Sequence, residues 1–271
     1  MIRRTRRFLK RVLPRSRLPA VPLAIQPIFN APDLGNWYSP VLLGAGTIGA
    51  KAMQTDCLRQ AMEIIGRLET DDYVRYLQAY YQTGLERFGN AWRYADIATV
   101  LLAAAQLAHP LRYLEIGVRR GRSMAMVAAT CPDCDIVGFD LWQANYAGIP
   151  NPGPDFVTTE MKKLGHRGGL ELISGDSHET LSRYFNQYPD AYFDLATVDG
   201  DHSEMGAKQD LQTVASQLKV GGILVFDDIC HPTHPYLHDV WRRVICSLEK
   251  FATWEFTDLG YGVALAVRRD P

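Results

Sequence analysis

"YLEIGVRRGRS", residues 113–123, decides how this chain folds. The run ending at Gly117 reads as a buried strand, and Ser123 to Ala129 reads as a helix, so a glycine loop joins the two. Gly117 allows the backbone to turn under a ligand, and Gly121 allows close approach where the helix begins. A rival loop lies upstream in "VLLGAGTIGAK", residues 41–51, whose Gly44-x-Gly46-x-x-Gly49 spacing is that of a dinucleotide fingerprint. A dinucleotide site needs a full strand before its glycines and a second strand ending in an acid about 20 residues on. Here "VLL" follows Pro40 and is short. Glu69 sits at a suitable distance, but residues 54–68 read as one helix and leave little room for that second strand. The upstream glycines therefore read as a turn before a helix, packed over the site made by the downstream loop.

Outward from the loop, strands and helices alternate. Strand-like runs are "RYLEIG", "DIVGFDLW", "LELISGD", "YFDLATVDG" and "GILVFDDI", separated by helix-length segments at 122–130, 155–165, 178–187 and 204–218. This order implies a parallel sheet with right-handed crossovers and helices on both faces. A helix over 237–250 follows, and then "TWEFTDL" and "VALAVRR" flank a Gly-Tyr-Gly turn, so the last strand should run antiparallel in a hairpin. Upstream, Leu58, Met62, Ile65 and Leu68 share a helical face, and Thr70 or Asp71 can cap the next helix. The expected division is a basic, proline-rich arm over 1–40, a helical lid or accessory region over 41–109, and an α/β domain over 110–271.

Strand ends carry ligand-competent residues, at the edge where open α/β sheets bind ligands. Asp140 ends the second strand, where a carboxylate can take both ribose hydroxyls, and Gly175-Asp176-Ser177 ends the third, where polar groups can meet an adenine. Each acid can also be a plain helix or turn cap. Taken in order, these pieces resemble the class I S-adenosylmethionine-dependent methyltransferases. The resemblance covers about residues 110–270 and implies a Rossmann-like seven-stranded sheet with its last strand antiparallel. It implies that Glu115, Gly117 and Gly121, with Ser123 opening the helix, surround the methionine part of S-adenosylmethionine. Asp140 then holds the ribose, and Asp176 with Ser177 the adenine.

A second motif carries the chemistry. "VDGDHSE" (198–204) and "VFDDI" (225–229) end strands four and five, which should lie side by side. Asp199, Asp227 and Asp228 would then meet, and their repulsion asks for a hard cation, Mg²⁺ or Mn²⁺ rather than Zn²⁺. The bland alternative is that Asp201 and Asp228 cap helices. The same residues resemble the metal-dependent O-methyltransferases that act on sugars of macrolides and related natural products, of the mycinamicin, macrocin and novobiocin-pathway kind. That resemblance makes the three acids metal ligands and offers two bases, His202 in some members and Asp201 in others. His202 is favoured because an imidazole titrates near neutrality. The implied reaction is methyl transfer to a hydroxyl of a sugar, glycoside or other polyhydroxylated metabolite. A catechol-like phenol is the first alternative acceptor, an NAD(P)-dependent oxidoreductase using the 44–49 loop is the second reading, and a non-catalytic scaffold the third.

"QANYAGIPNPGPDF" (143–156) is a candidate acceptor loop, and "CHPTHPYLH" (230–238) places three histidines just after the acids, for acceptor contact or a second metal. The near-zero net charge of −1 hides an asymmetry: the first 17 residues hold eight Lys/Arg and no acid, so the rest is net acidic. That arm reads as a solvated tail, as a basic amphipathic helix lying on anionic lipid through Phe8, Leu9, Val12 and Leu13, or as an imperfect twin-arginine signal. Five scattered cysteines suit a reducing compartment, hence a cytoplasmic protein or one peripheral at the inner membrane surface. A homo-oligomer is expected, and no nucleic-acid partner. If the arm is lipid-binding, deleting residues 1–17 abolishes co-sedimentation with anionic liposomes; equal pelleting of both chains ends that reading.

Overall fold

The computed structural model describes residues 41–269, of which Leu43 onward belong to one compact unit; the expectations for the basic arm lie outside the described residues. Helices α1 (Ala45–Ala52), α2 (Thr55–Ile65), α3 (Asp72–Phe88) and α4 (Ile97–Ala108) precede the sheet. Then come β1 (Arg112–Ile116), α5 (Arg122–Thr130), β2 (Asp135–Asp140), α6 (Pro154–Lys163), β3 (Leu170–Ser174) and α7 (Ser177–Gln187). The chain continues through β4 (Phe193–Val198), α8 (Glu204–Ser216), β5 (Leu218–Asp227), α9 (Leu237–Trp241), β6 (Phe251–Phe256) and β7 (Val263–Arg268). The strands form one seven-stranded sheet in the order β3-β2-β1-β4-β5-β7-β6. Pairings are parallel except those of β7, which runs antiparallel to both β5 and β6, as the glycine turn predicts.

Local sequence explains the elements. The inner strands are nearly all buried because helices cover both faces of a parallel sheet. α4 is apolar on every side and accordingly buried, stacked on α5 and on β5 and β7. Asp96 and Thr99 cap it reciprocally at 3.0 Å, and His109 closes it in the left-handed conformation before Pro110. Asp71 caps α3 by accepting from the Val74 amide at 2.8 Å. The last helix is shorter than its expected span. Leu237, Val240 and Trp241 are buried on α9, a π-turn over Arg242–Cys246 then buries Val244 and Ile245, and the chain turns so that Phe251 can start β6 opposite Arg268.

Of the upstream glycines only Gly49 is a packing residue, and it packs on β6 rather than over the downstream loop. Gly46 and Gly49 lie inside α1, and a Cβ on Gly49 would fall 2.2 Å from the Trp254 ring of β6. Val41 makes only an isolated bridge, so among the described residues no strand leads into these glycines as a dinucleotide cradle requires. Gly49→Ala should therefore lose about 1–3 kcal/mol by overpacking. Gly46→Ala, with open space around it in a helix, should gain up to about 1 kcal/mol. Urea unfolding of both variants checks the pair, and equal effects would contradict the packing assignment.

Candidate active site

The strand order reverses between β1 and β4, and the loops leaving those two strands meet at the carboxyl edge of the sheet. The contact is backbone on backbone. Gly117 stands at φ +87°, where a Cβ would lie 1.7 Å from the Asp199 carbonyl oxygen. Its amide donates to the Phe139 carbonyl at 2.9 Å, and the Asp199 amide donates to that of Ile116 at 2.9 Å. The glycine loop and the first acidic loop thus touch directly. Gly121, at φ +74°, begins α5 with Val157 packed where its side chain would be.

The acids after β1, β2 and β3 each organise this edge. Glu115 is fully enclosed, bonded by the Ser123 hydroxyl and by the Tyr113 hydroxyl at 2.8 Å; burial pushes its carboxyl up to about 8 against those two bonds. It reaches the start of α5 through the Ser123 hydroxyl. Asp140 accepts from the Arg119 amide at 2.7 Å and from the Trp142 amide, so it fixes the loops on both sides while its carboxylate retains acceptor capacity. Asp176 caps α7 through the His178 amide at 2.9 Å. The Ser177 hydroxyl donates at 3.1 Å to Asp210, an acid in the middle of α8 that burial pushes up to about 6. Asp210 was not singled out from the sequence; an acid at a core-facing position of a helix was the available signal.

Beside them lies the group formed by Asp199, His202 and Asp228, each offering one ligand atom within 4.8 Å of the others. His202 Nε2 stands 3.3 Å from Asp199 and 3.7 Å from Asp228. Burial draws the imidazole pKa down, but Asp199, Asp228 and Asp201 outweigh burial and raise it. Asp228 is pushed up to about 7 by burial and by Asp199. Asp227 lies outside this group of three, in ladder register with Val263; burial, Asp228 and Asp199 push it well above the usual carboxylate range. Neighbouring strand residues face opposite ways, and Asp228 turns away from the strand at φ +61°. Asp201 also stands apart. Its carboxylate accepts from the Ser203 amide at 2.8 Å and hydroxyl at 3.0 Å, beside the cap of α8. Two carboxylate oxygens and an imidazole nitrogen form a donor set that fits a divalent cation.

Three arginines, Arg119 and Arg120 in the glycine loop and Arg122 at the start of α5, tie the surroundings to it. Arg120 is 8% exposed and pairs with Asp71 at 2.9 Å and Glu69 at 3.2 Å, while its guanidinium lies 4.4 Å from the Phe156 ring centre. Arg122 pairs with Asp71 and lies over Tyr73. Arg119 donates to the Tyr146 carbonyl at 2.9 Å and lies over its ring, so the 143–156 segment is fastened to the glycine loop. Arg119, Trp142, Asn145 and Asp228 hold left-handed backbone, a strained state for non-glycine residues that accompanies functional sites. After Asp228, His231, His234 and Tyr236 line the same side, and burial followed by His234 and His202 lowers the His231 pKa.

Residues 114–229 match a family model described as a methyltransferase domain. No curated protein matches the chain. Among solved structures, the calicheamicin methyltransferase CalS11 is 20% identical over 79% of this chain and 91% of its own, with a TM-score of 0.50. The O-methyltransferase TomG of Streptomyces achromogenes, involved in tomaymycin synthesis and solved with SAM, is 18% identical over 75% of this chain and 92% of its own, with a TM-score of 0.52. At these identities the likeness establishes the fold. Among the described residues no helix is long and apolar enough to cross a membrane.

The acids set a pH dependence with a definite sign. Glu115 and Asp228 have folded pKa values near 8 and 7, above their unfolded values, so the folded state binds more protons across that window. The raised His202 acts in the same direction. The melting temperature of the metal-free protein should fall as pH rises from about 4 to 8, and a divalent cation should recover most of the loss at the upper end. Calorimetry across that range with and without Mg²⁺ tests it; a rising profile contradicts the assignment.

Proposed function

We propose that this chain, which carries a class I S-adenosylmethionine-dependent methyltransferase domain, is a metal-dependent O-methyltransferase acting on a hydroxyl of a sugar, glycoside or other polyhydroxylated metabolite. The observation that carries the reading is the Asp199–His202–Asp228 group lying against the Gly117 loop at one edge of the sheet. Neighbours of the same fold include one described as a calicheamicin methyltransferase and one described as an O-methyltransferase involved in tomaymycin synthesis.

When bound, S-adenosylmethionine supplies an electrophilic methyl on a sulfonium. A divalent cation supplies Lewis acidity, lowering the pKa of an alcohol that does not ionise freely near neutrality. Asp199 and Asp228 would hold the cation, with Asp227, whose carboxyl burial and the two neighbouring acids push well up, beside them. The Gly117–Gly121 loop, Asp140 and the Asp176-Ser177 corner would hold the cofactor, and the Gly117–Asp199 contact fixes the two sites relative to each other. Positioning two partners in this way can supply much of the acceleration.

His202 is the base in this reading. Without a cation, Asp199 and Asp228 hold its proton; with their charge taken up, its Nε2 is free to accept the proton of the attacking hydroxyl. Asp201 is less suited, since its carboxylate is already engaged by Ser203.

Transfer of a labelled methyl group to a panel of glycosides and phenols tests the proposal. Asp199→Ala and Asp228→Ala should each reduce turnover by about 100-fold or more while S-adenosylhomocysteine still binds. His202→Gln should lower turnover about 10²–10⁴-fold with little change in cofactor affinity. Turnover that EDTA leaves unchanged removes the metal from the mechanism, and phenols methylated in preference to glycosides would change the acceptor class.

A further inference from the structure

A line of rings runs away from the acidic group. The His202 and His234 ring centres are 5.2 Å apart, His234 and His231 5.0 Å, and His231 and Tyr261 4.4 Å. The histidines are half-buried, and the line ends at Tyr261, which is 53% exposed. It is held firmly. The Cys230 amide donates to the Tyr261 carbonyl at 2.6 Å, and Gly262, at φ +74°, lets that turn close onto Cys230. The Tyr236 hydroxyl donates to the His202 carbonyl at 2.8 Å, tying the histidine segment to the loop after β4.

Hydrogen bonding fixes the two imidazoles in opposite senses. The Thr233 amide can only donate, and it points to His231 Nδ1 at 3.2 Å, so a neutral His231 carries its proton on Nε2. Tyr236 gives its one proton to the His202 carbonyl, so His234 Nδ1 must donate to the Tyr236 oxygen at 3.1 Å, which leaves His234 Nε2 a bare acceptor. Among the described residues neither Nε2 has a hydrogen-bond partner.

We infer that the His234–His231–Tyr261 strip is the acceptor platform, and that it takes a saturated ring bearing vicinal hydroxyls. The inference rests on the O-methyltransferase reading of the adjoining group. One hydroxyl donates to His234 Nε2, its neighbour accepts from His231 Nε2–H, and the ring's C–H face lies on Tyr261. A catechol that chelated the cation through both hydroxyls would offer only hydrocarbon to the strip, leaving the His234 acceptor and the His231 donor without the partners a vicinal diol supplies.

Saturation-transfer NMR with the full chain, S-adenosylhomocysteine and Mg²⁺ tests this without turnover. The probes are methyl mannopyranoside and methyl rhamnopyranoside, their 2-deoxy counterparts, and catechol. The intact glycosides should bind the unaltered protein about 3- to 10-fold more tightly than the deoxy forms, the worth of one hydrogen bond. His231→Phe and His234→Phe, which keep a ring and remove the nitrogens, should erase that preference while affinity for S-adenosylhomocysteine stays the same. If no glycoside binds, if the deoxy forms bind equally well, or if both variants retain the preference, the inference is overturned. Titration of the unaltered protein with S-adenosylhomocysteine and Mn²⁺ addresses the enzyme reading separately: failure of either ligand to bind defeats that reading whatever the glycosides do.

Discussion

Gly117 and the Asp199 carbonyl occupy space that tolerates no side chain between them. That approach joins the loop after β1 to the loop after β4, at the point where the sheet reverses direction. Everything chemical in the molecule is measured from it. On one side Asp140 clasps the glycine loop through the Arg119 amide, and on the other Asp199 turns its side chain toward His202 and Asp228. A cofactor loop and an acidic cluster could each exist alone. Their direct backbone contact leaves no freedom in the distance between what each would hold.

The electrostatics of the edge follow from that crowding. Asp199, Asp227 and Asp228 are held near one another in partly buried positions, so burial and mutual repulsion raise Asp227 and Asp228. His202 is drawn toward its protonated form by the same acids. The cluster thus meets its own charge with protons, in a way a divalent cation would replace. The left-handed backbone of Asp228 belongs to the same account, since it takes Asp228 out of the strand's alternation at the point where its carboxylate meets Asp199 and His202.

The helices before the sheet are part of this construction. Asp71 caps α3 and also receives Arg120 from the glycine loop and Arg122 from the start of α5, so one carboxylate serves helix initiation and loop anchoring together. Arg120 further engages Glu69 and Phe156, bringing the α2–α3 corner and the start of α6 onto the same loop. These pairs are largely shielded from solvent on the arginine side, where removing one partner leaves an unmatched buried charge. Ion pairs therefore fasten this corner to the glycine loop.

Periodicity and punctuation determined the sheet. Apolar runs ending in Asp140, Asp176, Asp199 and Asp228 specified strands and the edge at which they finish, and the Gly260–Gly262 turn specified the antiparallel hairpin. Such signals are local, carried by a few consecutive residues and their backbone preferences. The fate of the two glycine loops was half legible: the missing second strand argued against residues 44–49, but only the packed ring of Trp254, two hundred residues away, explains Gly49. Likewise the sequence brought three aspartates to one edge, whereas tertiary geometry drew His202 into the group, left Asp227 beside it and turned Asp201 to Ser203. Which way a side chain points at a strand end depends on the turn that follows and on what packs there. Those are long-range contacts, and no spacing along the chain encodes them.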